Sequence, residues 1–164
     1  MGTLVTLTQA RQVREKLRQE GKLVVLTNGV FDILHVGHVR YLQAARALGD
    51  VLMVGLNGDS SARRLKGPDR PLVPQAERAE LLCALSCVEY VTIFDEPTAV
   101  AVVEALRPDL YVKGGDYRHA KPLPEAAAVT RHGGRVVILP YTPGRSTTDL
   151  IERLRGRADQ AQGA

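Results

Sequence analysis

Apolar residues fall into short unbroken runs separated by stretches in which they recur every three or four positions. Leu23–Thr27, Val51–Leu56, Val88–Phe94, Leu110–Lys113 and Arg135–Leu139 read as five strands. Runs this continuous suit strands buried on both faces. Between them, helical spacing predicts a first helix capped by Thr8, running to about Glu20 and closed by Gly21. A second passes through Val39, Leu42, Ala45 and Leu48 and stops at Gly49-Asp50. Others are expected at Glu77–Leu85, at Thr98–Leu106 ahead of Pro108, and near Glu125–Arg131. A final helix opens at Ser146-Thr147-Thr148 and carries Leu150, Ile151 and Leu154. A polar, proline-bearing loop is expected from Arg63 to Pro74. This alternation argues for an α/β fold, a doubly wound five-stranded parallel sheet covered on both faces. A single domain is expected over 1–156, with a disordered tail at 157–164.

In such sheets ligands bind outside the carboxyl ends of the strands. The chemically loaded segments lie there: Asn28-Gly29-Val30-Phe31-Asp32-Ile33-Leu34-His35-Val36-Gly37-His38 after the first strand, Asn57-Gly58-Asp59 after the second, Lys113-Gly114-Gly115-Asp116 after the fourth, and Tyr141 to Thr148 after the fifth. A helix start presents unpaired N–H groups and the positive end of the macrodipole, which favour an anion. Gly29 and Gly37 permit close backbone approach, and His35 and His38 are spaced to share one helical turn. Phosphate chemistry follows from this pattern. A purely structural turn and a two-histidine zinc site are the local alternatives, the latter without further ligands at zinc spacing.

Composition narrows the ligand. The 164 residues carry 22 basic and 18 acidic side chains, a net charge of +4 that suits anionic substrates. The basic residues are scattered and no aromatic-rich RNA-binding motif accompanies them, so nucleic acid is not expected as a partner. Cys83 and Cys87 lie four apart in an apolar helical run and read as free thiols. With no signal peptide and no apolar stretch of membrane length, a cytoplasmic protein with no membrane partner is expected. Met1-Gly2 with Thr6 fits the loose myristoylation pattern, a match read as chance. A phosphate-binding P-loop, a dinucleotide-binding Gly-x-Gly-x-x-Gly and a nucleophile elbow are all missing, which excludes the kinases, oxidoreductases and hydrolases built on them.

The Asn28-Gly29-x-Phe31-Asp32-x-Leu34-His35-x-Gly37-His38 segment resembles the signature of the cytidylyltransferase-like nucleotidyltransferases. The resemblance runs from Leu23 to Leu154. It is greatest to the adenylyltransferase domains of ADP-heptose synthases, through Thr27-Asn28-Gly29, Arg64-Leu65-Lys66-Gly67 with Arg70-Pro71, Asp109 to Tyr117, and Ser146-Thr147-Thr148. Glycerol-phosphate cytidylyltransferases instead carry an Asp-Asp pair where this chain has Gly115-Asp116, and an arginine where Tyr141 stands.

The resemblance implies a Rossmann-like fold and transfer of a nucleotide from ATP to a sugar 1-phosphate, with cytidylyl transfer from CTP to an alcohol phosphate as the alternative. A nucleotide-binding module without turnover is a further alternative. It implies that His35, His38 and Lys66 act on the phosphates. Nucleotide contacts are expected from Asn28, Gly29, Val30, Phe31, Gly37, Arg78, Lys113, Gly114, Gly115, Asp116, Ser146, Thr147 and Thr148. Acceptor contacts are expected from Asp32, Asp59 and Arg145. Magnesium is expected with the triphosphate, held by phosphates and water, with no protein ligand readable. A separate sugar kinase in the same pathway is expected, since the chain has no room for one, and relatives commonly form homodimers.

Overall fold

The structure, a computed structural model, describes residues 1–115 and 123–140. Its elements run β1 (Thr3–Leu4), α1 (Leu7–Gln19), β2 (Val24–Gly29), α2 (Val36–Arg46), β3 (Val51–Asn57) and α3 (Asp59–Lys66). They continue with α4 (Gln75–Ala84), β4 (Tyr90–Phe94), α5 (Val100–Leu106), β5 (Leu110–Gly114), α6 (Ala126–Arg131) and β6 (Arg135–Leu139). The six described strands form one sheet in the order β1-β4-β3-β2-β5-β6, parallel throughout. The five expected strands are all present. The sixth, β1, is only two residues long and pairs with β4, too short for its alternation to be read.

Two other expectations are corrected. The first helix is capped by Thr6, not Thr8: Thr6 Oγ1 accepts from Gln9 N–H at 3.2 Å while Gln9 Oε1 accepts from Thr6 N–H at 2.8 Å. That reciprocal pair satisfies two orphan donors and outcompetes a cap two residues later. Arg63 to Lys66, expected in a loop, complete α3, which Gly67 stops in a left-handed conformation at φ 104°. The final helix and the tail fall outside the described residues.

Adjacent residues of each strand face opposite sides of the sheet. Val24, Leu26, Val51, Met53 and Tyr111 bury against α1, α5 and α6. Val25, Leu52, Val54, Leu56 and Val112 bury against α2 and α4. Arg14 of α1 ties the first layer together: its guanidinium donates to the Leu106 and Arg107 carbonyls and to Asp109 Oδ1, whose Oδ2 accepts from Val24 N–H at 2.7 Å. Gly2 N–H donates to the Cys83 carbonyl at 2.7 Å, so the start of the chain is held against α4. No helix among the described residues is long and apolar enough to cross a membrane.

The chain places β3 and β4 on one side of β2, then crosses to place β5 and β6 on the other. The switch point is therefore the gap between the carboxyl ends of β2 and β5, where a crevice opens in sheets of this kind.

Candidate functional site

The β2 strand ends at Gly29, where a Cβ would stand 3.0 Å from the Phe31 ring and press it aside. Phe31 itself is left-handed at φ 47°, an uncommon conformation for a bulky residue. The chain then enters α2 through His35. His35 is the N-cap, not a residue within the helix: its backbone is extended and its Nδ1 accepts from Gly37 N–H at 3.1 Å. Nδ1 as acceptor leaves the proton of the neutral ring on Nε2. His38, one turn in, stacks on His35 with ring centroids 3.9 Å apart and planes 25° apart. The Phe31 ring meets His38 edge-on at 5.3 Å. Burial, and after it the neighbouring His35, push the His38 pKa down to about 4. His38 Nδ1 is buried without a partner among the described residues. Two imidazoles thus stand together at a helix N-terminus, with Gly37 buried between them.

Asp32 and Arg78 fasten the neighbouring loop. Asp32 accepts from Arg70 Nη1 at 2.7 Å and from the Leu72 and Val73 N–H groups at 2.8 and 3.0 Å. Arg78 is completely buried and donates to the carbonyls of Val73, Val30 and Asn57 and to Asp59 Oδ1. Arg78, expected as a nucleotide contact, has four of its five N–H donors taken by the chain itself. Asp32 and Asp59, expected as acceptor contacts, pair with these arginines, and Asp59 stays partly exposed. Arg70 was missed from sequence as a partner, since nothing local signals a contact 38 residues away. Lys66 is exposed at the last turn of α3, and no hydrogen bond or ion pair joins it to the histidines among the described residues.

Across the switch point, Lys113 on β5 donates to the Asn28 carbonyl at 3.1 Å and to Asn28 Oδ1 at 3.0 Å. Tyr111 donates to the same Oδ1 at 2.5 Å. Burial holds the Lys113 ammonium below its ordinary pKa, with Glu125 opposing the shift. On the other face, Tyr41 of α2 donates to the Val112 carbonyl at 3.0 Å and so accepts from Thr27 Oγ1 at 2.7 Å. Sequence reading missed Tyr111 and Tyr41. The only available signal was that a buried tyrosine needs a partner for its hydroxyl.

Gly114 ends β5, and Gly115 N–H donates to the Leu139 carbonyl at 3.0 Å. A Cβ on Gly115 would meet Ile138 at 3.6 Å, an ordinary contact. Val30 contributes its carbonyl to Arg78. Asp116, Arg145, Ser146, Thr147 and Thr148 lie outside the described residues. Among the described residues no three potential ligands converge to hold a metal.

The cytidylyltransferase-like family model matches residues 26–153. The chain is 54% identical over 154 residues to the bifunctional protein HldE of Syntrophotalea carbinolica, covering 92% of this chain and 30% of that protein. It is 53% identical over 141 residues to the bifunctional protein HldE of Geotalea uraniireducens, covering 86% and 28%. It therefore spans about three-tenths of the length of these curated relatives. Among solved structures it resembles a lipopolysaccharide core biosynthesis protein from Thermoplasma volcanium, with a TM-score of 0.61 and 30% identity over 74% of this chain and 98% of that one. It also shares the fold of a Francisella tularensis pantoate-beta-alanine ligase, with a TM-score of 0.58 and 11% identity over 90% of this chain and 69% of that one.

Proposed function

The chain belongs to the cytidylyltransferase-like family, and from that premise we propose that it is a nucleotidyltransferase joining AMP from ATP to a sugar 1-phosphate. The observation that carries the reaction class is the stacked His35–His38 pair at the N-terminus of α2, beside the switch point. The sugar we infer is D-glycero-β-D-manno-heptose 1-phosphate, which would give ADP-heptose and pyrophosphate. It rests on the resemblance to the adenylyltransferase domains of ADP-heptose synthases. The high identity to the bifunctional HldE proteins and the likeness to a lipopolysaccharide core biosynthesis protein support it.

In this reading a phosphate oxygen of the sugar attacks the α-phosphorus of ATP. The new O–P bond forms as the bond to the bridging oxygen breaks, and pyrophosphate carries that electron pair away. The nucleophile is already an anion, so no strong base is needed, and catalysis is positioning plus charge stabilisation. His35 offers its Nε2–H, His38 offers an imidazole N–H, and the N-terminus of α2 adds the helix dipole. Lys66 supplies a point charge to the phosphates from the end of α3. Magnesium, when bound with the triphosphate, would neutralise its charge. Phosphates and water would hold it. The 1-phosphate must be supplied by a sugar kinase, which we infer to be its metabolic partner.

The test is to cross heptose 1-phosphate, glycerol 3-phosphate and ethanolamine phosphate with ATP and CTP and follow pyrophosphate release. Turnover with heptose 1-phosphate and ATP is expected. Turnover with CTP and not ATP overturns the assignment.

A further inference from the structure

The histidine chemistry uses one side of β2 and leaves a polar cluster on the other side unexplained. Leu26 and Tyr111 bury into the α1/α5/α6 layer, and Asn28 and Lys113 follow them two residues later on the same face of their strands. Lys113 reaches both oxygens of Asn28, and Tyr111 reaches the side-chain oxygen. An ammonium has only hydrogens to offer. The carboxamide is therefore held with Oδ1 inward, and Nδ2 points the other way. That nitrogen has no hydrogen-bond partner among the described residues, and Asn28 is half-buried at the carboxyl end of β2, one residue before Gly29. The buried Glu125, which accepts from Ala99 N–H at 2.9 Å, supplies the opposite charge behind Lys113 and Tyr111. A half-buried lysine, a buried tyrosine and a buried glutamate thus fix the orientation of one asparagine whose own donors are unused.

We propose that Asn28 Nδ2–H₂ is a pre-oriented donor to a phosphate oxygen of the bound nucleotide, and that Lys113 and Tyr111 are positioning residues that act through it. The proposal rests on the nucleotide reading of this site. An anion is favoured over a neutral acceptor for two reasons. Donation by an ammonium to Oδ1 polarises the amide and strengthens its N–H groups. The same ammonium also leaves a positive charge behind the donor. Lys113, expected from sequence to contact the nucleotide, is instead assigned to hold the residue that does.

The experiment is titration calorimetry on the full chain with ATP and with tripolyphosphate, which has the phosphates but no base or sugar. Asn28→Asp keeps the side chain's shape, gains an ion pair with Lys113, and removes the donor. It is expected to weaken both ligands in parallel by roughly 10- to 100-fold, the size of a charge-assisted hydrogen bond. Lys113→Met and Tyr111→Phe are expected to weaken both ligands less. In ¹⁵N-labelled protein, the side-chain NH₂ pair that disappears in Asn28→Asp should shift on adding tripolyphosphate. In Lys113→Met it should cease to respond, which a merely structural lysine would not cause. Three results overturn the proposal: no tripolyphosphate binding by the wild-type chain, unchanged affinity in Asn28→Asp, or loss confined to ATP. Parallel loss of both ligands in a chain that turns over no sugar phosphate would instead refute the proposed reaction and leave this contact standing.

Discussion

The His38 ring differs from an ordinary surface histidine in one measurable respect, its depressed pKa of about 4. In the unfolded chain it takes up its proton near pH 6.5. Between those values the unfolded state binds more protons than the folded one. His38 therefore contributes stability above about pH 6.5 that is lost as pH falls toward 4, and nothing further changes below. A histidine-resolved NMR titration should show the neutral form of His38 persisting to below pH 5. A bound triphosphate reverses the balance by favouring the imidazolium. ATP binding at pH 5.5 should accordingly take up more protons in wild type than in His38→Asn, read from calorimetry in two buffers of different ionisation enthalpy. Replacing His38 or His35 by asparagine should lower kcat by about 10²- to 10³-fold, typical of removing one transition-state contact. The histidines and glycines of this turn were legible because their types and spacing state a chemistry. The N-cap role of His35 was not, since Ser, Thr, Asp and Asn are the usual N-caps.

At the scale of elements, the segment between α3 and α4 is held by two residues from elsewhere, Asp32 and Arg78. The burial of Arg78 was not legible, because a sequence does not say which arginine the fold draws inside. Removing it strands three carbonyls and leaves Asp59 unpaired. Arg78→Met should therefore cost about 3–5 kcal/mol, the usual penalty for breaking a buried ion pair from one side. A urea unfolding midpoint measures it, and a change below ~1 kcal/mol would contradict the burial. Gly58, the N-cap of α3, offers a second check. A Cβ there would collide with the Asp95 and Gln75 side chains, so Gly58→Ala should loosen the bonds they accept from Ser60 and from the Asp59 N–H at the start of α3. The long runs of β2 and β3 were legible because both faces of these central strands are buried. The helix α3 was not, because its arginines and lysine carry no apolar stripe and its end depends on Gly67.

For the whole molecule, the two apolar layers are opposite faces of the same strands, so neither can melt while the other stays ordered. Val25 and Val24 are neighbours in one strand yet serve different layers. The described core should unfold in one cooperative transition. The proposed nucleotide site sits where both layers meet the carboxyl edge, held by Asn28 from one face and by the histidines of α2 from the other. A ligand bound there is bound only by the intact sheet. ATP with magnesium at about 100 times its Kd should therefore stabilise the whole fold by ~2.7 kcal/mol. For a chain of this size that corresponds to a rise of roughly 5–10 °C in Tm. Calorimetric scans should show a single peak moving intact with ligand. Two peaks, only one of them ligand-sensitive, would mean that the layers are energetically separate and that the site draws on one alone.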